Sequence, residues 1–139
     1  MEYPPKISVF FRLGTEFNVL DENHLNSLIK DIRSKNAKLV VFDPFIGIHN
    51  KDENSSGNMR VVMKSLRILA EEGPAVFVVH HHRKEDGTDN QKLRGSSDIK
   101  AGVDSHIVIT KVGDCLELSH NKCQYNYTFE TFQNKTCGC

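Results

Sequence analysis

Two uninterrupted apolar runs constrain this chain most: Leu39-Val40-Val41-Phe42, which ends on Asp43, and Ala75-Val76-Phe77-Val78-Val79, which ends on His80. Neither alternates apolar with polar residues, so neither fits a strand with one wet face. Runs of this kind mark strands buried in a parallel sheet. Between them the spacing predicts a helix from about Gly57 to Glu72. Met59, Val62, Met63, Leu66 and Leu69 form its apolar face and Gly73-Pro74 ends it. Ahead of both runs a helix is expected from about Glu22 to Lys35. Leu25, Leu28, Ile29 and Ile32 fall there at i, i+3, i+4 and i+7, and Asp21 or Asn23 can cap its start. This order asks for an α/β fold, a mostly parallel sheet with helices on both faces.

The remaining segments are shorter. Ile7–Phe11 is β-branched and aromatic and reads as a strand ended by Gly14. Residues 47–57 form a polar, turn-rich loop, and loops of such length in compact domains are often functional. After His80 come a basic loop to Leu93, a short helix over Arg94–Gly102, and a hairpin of Val103–Lys111 with Cys115–His120. An edge strand over Tyr125–Phe132 completes the set. The domain is thus expected to occupy 1–132, with 133–139 a disordered tail.

Composition narrows the function classes. At 139 residues the chain is one domain's worth. With 38% hydrophobic residues and 18 basic against 18 acidic side chains, it is not of the disordered class. Its apolar runs are far below the roughly 20 residues of a membrane span. No signal-peptide pattern opens the sequence, so a cytoplasmic protein with no membrane partner is expected. Zero net charge argues against nucleic-acid binding by bulk electrostatics, yet Arg83, Lys84, Lys92 and Arg94 can still form a local basic patch. The four cysteines, spaced C-x7-C-x13-C-x-C, match no paired zinc frame.

In parallel sheets ligands bind at the carboxyl ends of the strands, and three motifs fall there or close by. Leu39–Asp43 is an apolar strand ending in a carboxylate, which can hold Mg²⁺, usually through water, beside a nucleotide phosphate. A plain turn cap looks the same. Val78-Val79-His80-His81-His82-Arg83-Lys84 carries three histidines in a row. Adjacent residues on a strand point to opposite faces, a poor geometry for three ligands on one ion, and a histidine that senses a phosphate fits better, with Arg83 and Lys84 as cationic donors. Leu93-Arg94-Gly95-Ser96-Ser97 has the form of a helix start, where Ser96 or Ser97 caps and free N–H groups favour an anion. It is equally a bare cap beside an arginine.

Taken in order, these pieces resemble one family. The run from Leu39 to Thr110 looks like the RecA-like ATPase domain of RepA- and DnaB-type replicative helicases, which includes AAA-type ATPases of primase-helicases. The matching pieces are Leu39–Asp43 with Pro44 and Phe45, the loop with Glu53, Asn54 and Gly57, the helix with Met59, residues 78–84, and Arg94–Ser97, followed by the strand over Asp104–Thr110. The resemblance implies that Asp43 is the Walker B carboxylate on Mg²⁺ and that His81 or His82 senses the γ-phosphate of ATP. It implies that Lys84 faces single-stranded DNA, and that Arg94 is an arginine finger or a DNA contact beside Ser96 and Ser97. A homo-oligomer, a hexameric ring, is the implied assembly.

The sequence departs from this family at two points. No G-x-x-x-x-G-K-[ST] run occurs in it, since neither Gly14 nor Gly113 is followed by Lys and Ser/Thr. Where the family often has Lys-x-Arg, it reads Lys122-Cys123-Gln124. The resemblance places the P-loop strand ahead of everything seen here, between the His-tipped strand and the strand over Ile107–Thr110, so the sheet is expected to be incomplete and the chain inactive alone. Two other functions compete: a non-catalytic module of the same fold that binds DNA or partner subunits, and a small metal protein built on His80–His82 and the cysteines.

Overall fold

The computed structural model describes residues 8–11, 16–81, 97–124 and 132–134. Helix α1 (Glu22–Lys35) starts at Asp21, whose carboxylate accepts the backbone N–H groups of Asn23 and His24 at 2.9 and 3.0 Å. These bonds satisfy two orphan donors of the first turn, and the one from His24 leads in holding the Asp21 carboxyl below its usual range. The helix stops at Asn36, which takes a left-handed conformation with φ of 48°, a state Asn visits more readily than most residues. Strand β1 (Leu39–Phe42), a short 3-10 turn (Phe45–Ile48), helix α2 (Ser56–Glu71) and strand β2 (Ala75–Val78) follow. Ser55 caps α2 by accepting the Asn58 N–H at 3.4 Å. Gly73, with φ of 111°, turns the chain off its far end in a state that favours glycine.

β1 and β2 pair in parallel from Leu39↔Ala75 to Phe42↔Val78, and α2 is the crossover such a pair requires. Met59, Val62, Met63, Leu66 and Leu69 of α2 are buried with Val19, Ile32, Phe42, Phe45, Ile48 and Ile99 in one core. Val40, Val76 and Val78 pack against that core, while Leu39, Val41 and Phe77 point the other way and are exposed. The α/β class and the incomplete RecA-like sheet are what the structure shows. The expectation of helices on both sheet faces is corrected: among the described residues α1 packs beside α2 in the same core, so one face is covered and the other is open. The Arg33 guanidinium ties the two helices by a bidentate bond to Glu72 at 2.6 and 2.9 Å.

The expected first strand also differs. Ser8–Phe11 has no regular structure, and Val9, Phe10 and Phe11 are exposed, because β1 takes no partner but β2 among the described residues.

Beyond 96 the chain forms a separate unit of sheet. Helix α3 (Ser97–Gly102) leads into β3 (Ser105–Val112), β4 (Cys115–Cys123) and β5 (Phe132–Asn134), an antiparallel sheet in the order β3-β4-β5. Gly113, with φ of 61°, makes the two-residue hairpin turn with Asp114. Among the described residues the last strand is Phe132–Asn134, in which Gln133 and Asn134, expected in the tail, pair with Glu117 and Leu116; residues 125–131 and 135–139, the rest of the expected edge strand and tail, lie outside the described residues. No strand joins β2 to β3 among the described residues.

Charged side chains hold α3 against α2. Arg67 grips Asp104 with two bonds of 3.0 Å and reaches the Gly102 carbonyl at 3.3 Å, which keeps the Asp104 carboxyl well below its usual range. Lys122 of β4 donates to the carbonyls of Lys100, Ala101 and Val103 at 3.1, 3.0 and 2.6 Å. That cation closes the carbonyl end of α3, where positive charge is favoured.

The closest approach in this packing is at Gly102, where an added Cβ would stand 2.9 Å from Met63 Cγ and 3.0 Å from its Cβ. Gly102→Ala therefore lowers stability by about 1–3 kcal/mol through overpacking. Gly57, at the start of α2, has open space around it, and Gly57→Ala raises stability by roughly 0.4–1 kcal/mol. Urea unfolding of the two variants checks the opposite signs.

Candidate functional site

The parallel register places the carboxyl ends of β1 and β2 side by side. Two backbone bonds carry the pairing past the strands: Val79 N–H donates to the Phe42 carbonyl at 2.9 Å, and Phe45 N–H donates to the Val79 carbonyl at 2.7 Å. Asp43 lies between these two anchor points. It is exposed, and among the described residues its carboxylate makes no hydrogen bond or ion pair. The 3-10 turn that follows has Pro44 as its N-cap and no side-chain cap bond, so Asp43 does not serve the plain role of a turn cap.

Beside this tip is a cavity of about 60 Å³ lined by Pro44, Phe45, Ile46, Glu53, Val79, His80 and His81, room for a water molecule or two. His80 points inward and is largely buried, and His81, next along the extended chain, is exposed, as alternation requires. The structure thus brings Asp43 and His81 to one end of the sheet. Ser97 is the first residue of α3, which docks on α2. His82, Lys84, Arg94 and Ser96 lie outside the described residues.

The cavity wall also holds a polar group that sequence reasoning did not single out. Glu53 Oε1 is 3.8 Å from His49 Nε2 and 3.4 Å from His80 Nε2, and the three side chains are 8%, 0% and 13% exposed. The Phe45 ring stands edge-on to His49 with centroids 4.7 Å apart and tilted against His80 at 5.5 Å. Neither His49 Nε2 nor Glu53 Oε1 has a hydrogen-bond partner among the described residues. A buried carboxylate without compensation is strongly unfavourable, so the two imidazoles are its compensation. Lys51 N–H donates to His49 Nδ1 at 3.3 Å. A neutral His49 consequently carries its proton on Nε2, facing Glu53, an assignment made from the bonding network. The signal that could have flagged this group is the His49–Glu53 spacing of four within a turn-rich loop next to a His-tipped strand.

Among the described residues no group of three or more His, Cys, Asp or Glu side chains is arranged to hold a metal ion, and Cys115 and Cys123 are free thiols.

Burial pushes the His49 imidazole below its ordinary value of 6.5; the Glu53 charge opposes that shift, and the His80 charge adds to it. As pH falls below 6.5 the unfolded chain takes up the proton that the folded one refuses, so the unfolded state binds more protons and stability falls with falling pH. The loss ends once pH is below the folded-state value. Urea melts from about pH 7 to pH 5 are expected to show this slope, and His49→Gln to reduce it.

Residues 9–87, more than half of the chain, match the family model described as AAA domain. No curated protein matches the chain. The matched span takes in α1, both strand tips, Asp43, the cavity and the His49–Glu53–His80 group. This chain belongs to the AAA domain family, whose domains are of the nucleotide-binding ATPase type.

Proposed function

We propose that the carboxyl end of the β1–β2 sheet is the Mg²⁺- and phosphate-facing edge of a RecA-like motor domain of the replicative helicase or primase-helicase kind. The observation that carries this reading is the Asp43 carboxylate, exposed at the strand tip and engaged by no described side chain or backbone group. Its donor chemistry fits the group. A carboxylate on a rigid strand end suits a hard cation that keeps most of its water. Bound there, Mg²⁺ supplies charge neutralisation for a transferring phosphoryl group.

The chain's own residues divide the remaining work. Asp43 holds the hydrated cation. His81, exposed at the cavity mouth, donates to phosphate oxygen, and His82 is the alternative sensor. Lys84 is assigned to single-stranded DNA. Arg94 is assigned to nucleotide or DNA, and Ser96 and Ser97 to the bound phosphate. A homo-oligomeric ring is the assembly in which Arg94 acts on a neighbour's phosphate. Lys122 is not available for that task, because three carbonyls already hold it.

A second reading, a non-catalytic module that binds partner subunits, is favoured by the open sheet face with Leu39, Val41 and Phe77 and by exposed Ile107, Ile109 and Leu116 on the hairpin. Its signature is a stable assembly that forms without nucleotide.

Titration calorimetry of the 139-residue chain with ATP tests the first reading. Affinity is expected to depend on Mg²⁺, and Asp43→Asn to lower it roughly 10- to 100-fold without unfolding the protein. Binding that ignores both Mg²⁺ and Asp43→Asn contradicts the assignment. The chain alone is expected not to turn ATP over, because its sequence contains no G-x-x-x-x-G-K-[ST] loop to cradle the phosphates.

A further inference from the structure

Glu53 links its own loop to the tip of a strand far away in sequence. It belongs to the polar loop, it faces His49 at the end of the 3-10 turn, and it faces His80 at the tip of β2. Local bonds brace the loop around it: Asp52 Oδ1 accepts the Asn54 N–H at 3.0 Å, the Ser55 N–H donates to the Asp52 carbonyl at 3.2 Å, and Ser55 then caps α2. Phe45, buried, contacts both imidazoles, with centroids 4.7 Å from His49 and 5.5 Å from His80. Among the described residues, the groups that face the Glu53 carboxylate are His49 from the turn and His80 from the strand, with His81 at the mouth of the shared cavity.

We propose that Glu53 is a positioning residue: its carboxylate, held between His49 and His80, fixes the His80 ring beneath the tip of β2 and thereby sets how His81 is presented at the cavity mouth. The physical basis is the low polarity of the site. An opposite charge within about 4 Å acts strongly where water is excluded, so the protonated form of His80 is held by Coulomb attraction at 3.4 Å from Glu53 as well as by packing against Phe45. The constraint reaches His81 through the chain: it is the next residue after His80, which is largely buried while His81 is exposed, so fixing the His80 ring restricts the backbone that carries His81. Movement of the β2 tip would also break the link to the loop that caps α2. The role given to His81 rests on the nucleotide reading above; the link between Glu53 and His80 rests on geometry alone.

Ring ¹H–¹³C spectra of the histidines across pH test the link in the full chain. In Glu53→Gln, which keeps the shape and removes the charge, the His49 and His80 titrations are expected to move to lower pH. The response of the His81 ring to Mg·ATP, used as probe, is expected to weaken roughly tenfold. A His80 titration unchanged between wild type and a folded Glu53→Gln overturns the proposal. If Glu53→Gln does not fold, His80→Gln decides: loss of the neighbouring positive charge moves the His49 titration to higher pH, and an unchanged His49 overturns the proposal. A wild-type His81 ring that ignores Mg·ATP contradicts the nucleotide reading, and the His49 and His80 titrations then decide the Glu53 link by themselves.

Discussion

The parallel pairing of β1 with β2 is the constraint on which the rest depends. Backbone donors and acceptors of a buried strand must be satisfied by a neighbour, and a parallel neighbour can only be reached through a crossover. That requirement sets the length and direction of α2, and with them the place of its apolar face. It also puts the two strand ends, with Asp43 on one and Val79–His81 on the other, next to each other. Residues 36 positions apart in the chain meet because of hydrogen bonds made elsewhere, by apolar residues that take no part in the chemistry.

The same core that holds the sheet shapes the polar group at its tip. Phe45 and Ile48 are buried in the core from the short turn after β1, and His49 follows them into the interior. Glu53 is then brought against it by a loop that must return to begin α2. A carboxylate and two imidazoles in an apolar surround cannot each be satisfied alone. Their mutual placement is therefore a property of the fold, and moving one disturbs the others. The outer sheet face, with Leu39, Val41 and Phe77 exposed, shows that burial is incomplete on the other side. The protein is thus well determined around the strand tips and open along its sheet.

Much of this was legible in the sequence. The limits of α1 follow from its apolar stripe and from Asp21 at its start, and β1, α2 and β2 follow from two apolar runs and a 3.6-residue period between them. What failed did so for a physical reason in each case. Ile7–Phe11 has strand propensity, but propensity does not supply a partner edge, and Ser8–Phe11 has none among the described residues. Leu39 and Phe77 read as buried on both sides because an apolar residue looks the same whether or not a helix covers it. Gln124 read as a departure from a charged Lys-x-Arg motif, and only the fold reveals the three carbonyls around Lys122. His49 and Glu53 lie in a loop with no periodicity, so their convergence with His80 could be seen only in three dimensions. Asp43 and His81 could be placed at one sheet end from the strands alone, since parallel strands put their ends together.

The central claim is that this sheet end faces a cation and phosphate. Paramagnetic broadening tests it most directly: backbone amide spectra of the full chain are recorded with ATP as Mn²⁺ replaces Mg²⁺. The account predicts that residues 43–46 and 79–81 broaden first while β3 and β4 stay sharp. Broadening centred on the hairpin, or spread evenly over the surface, would contradict it.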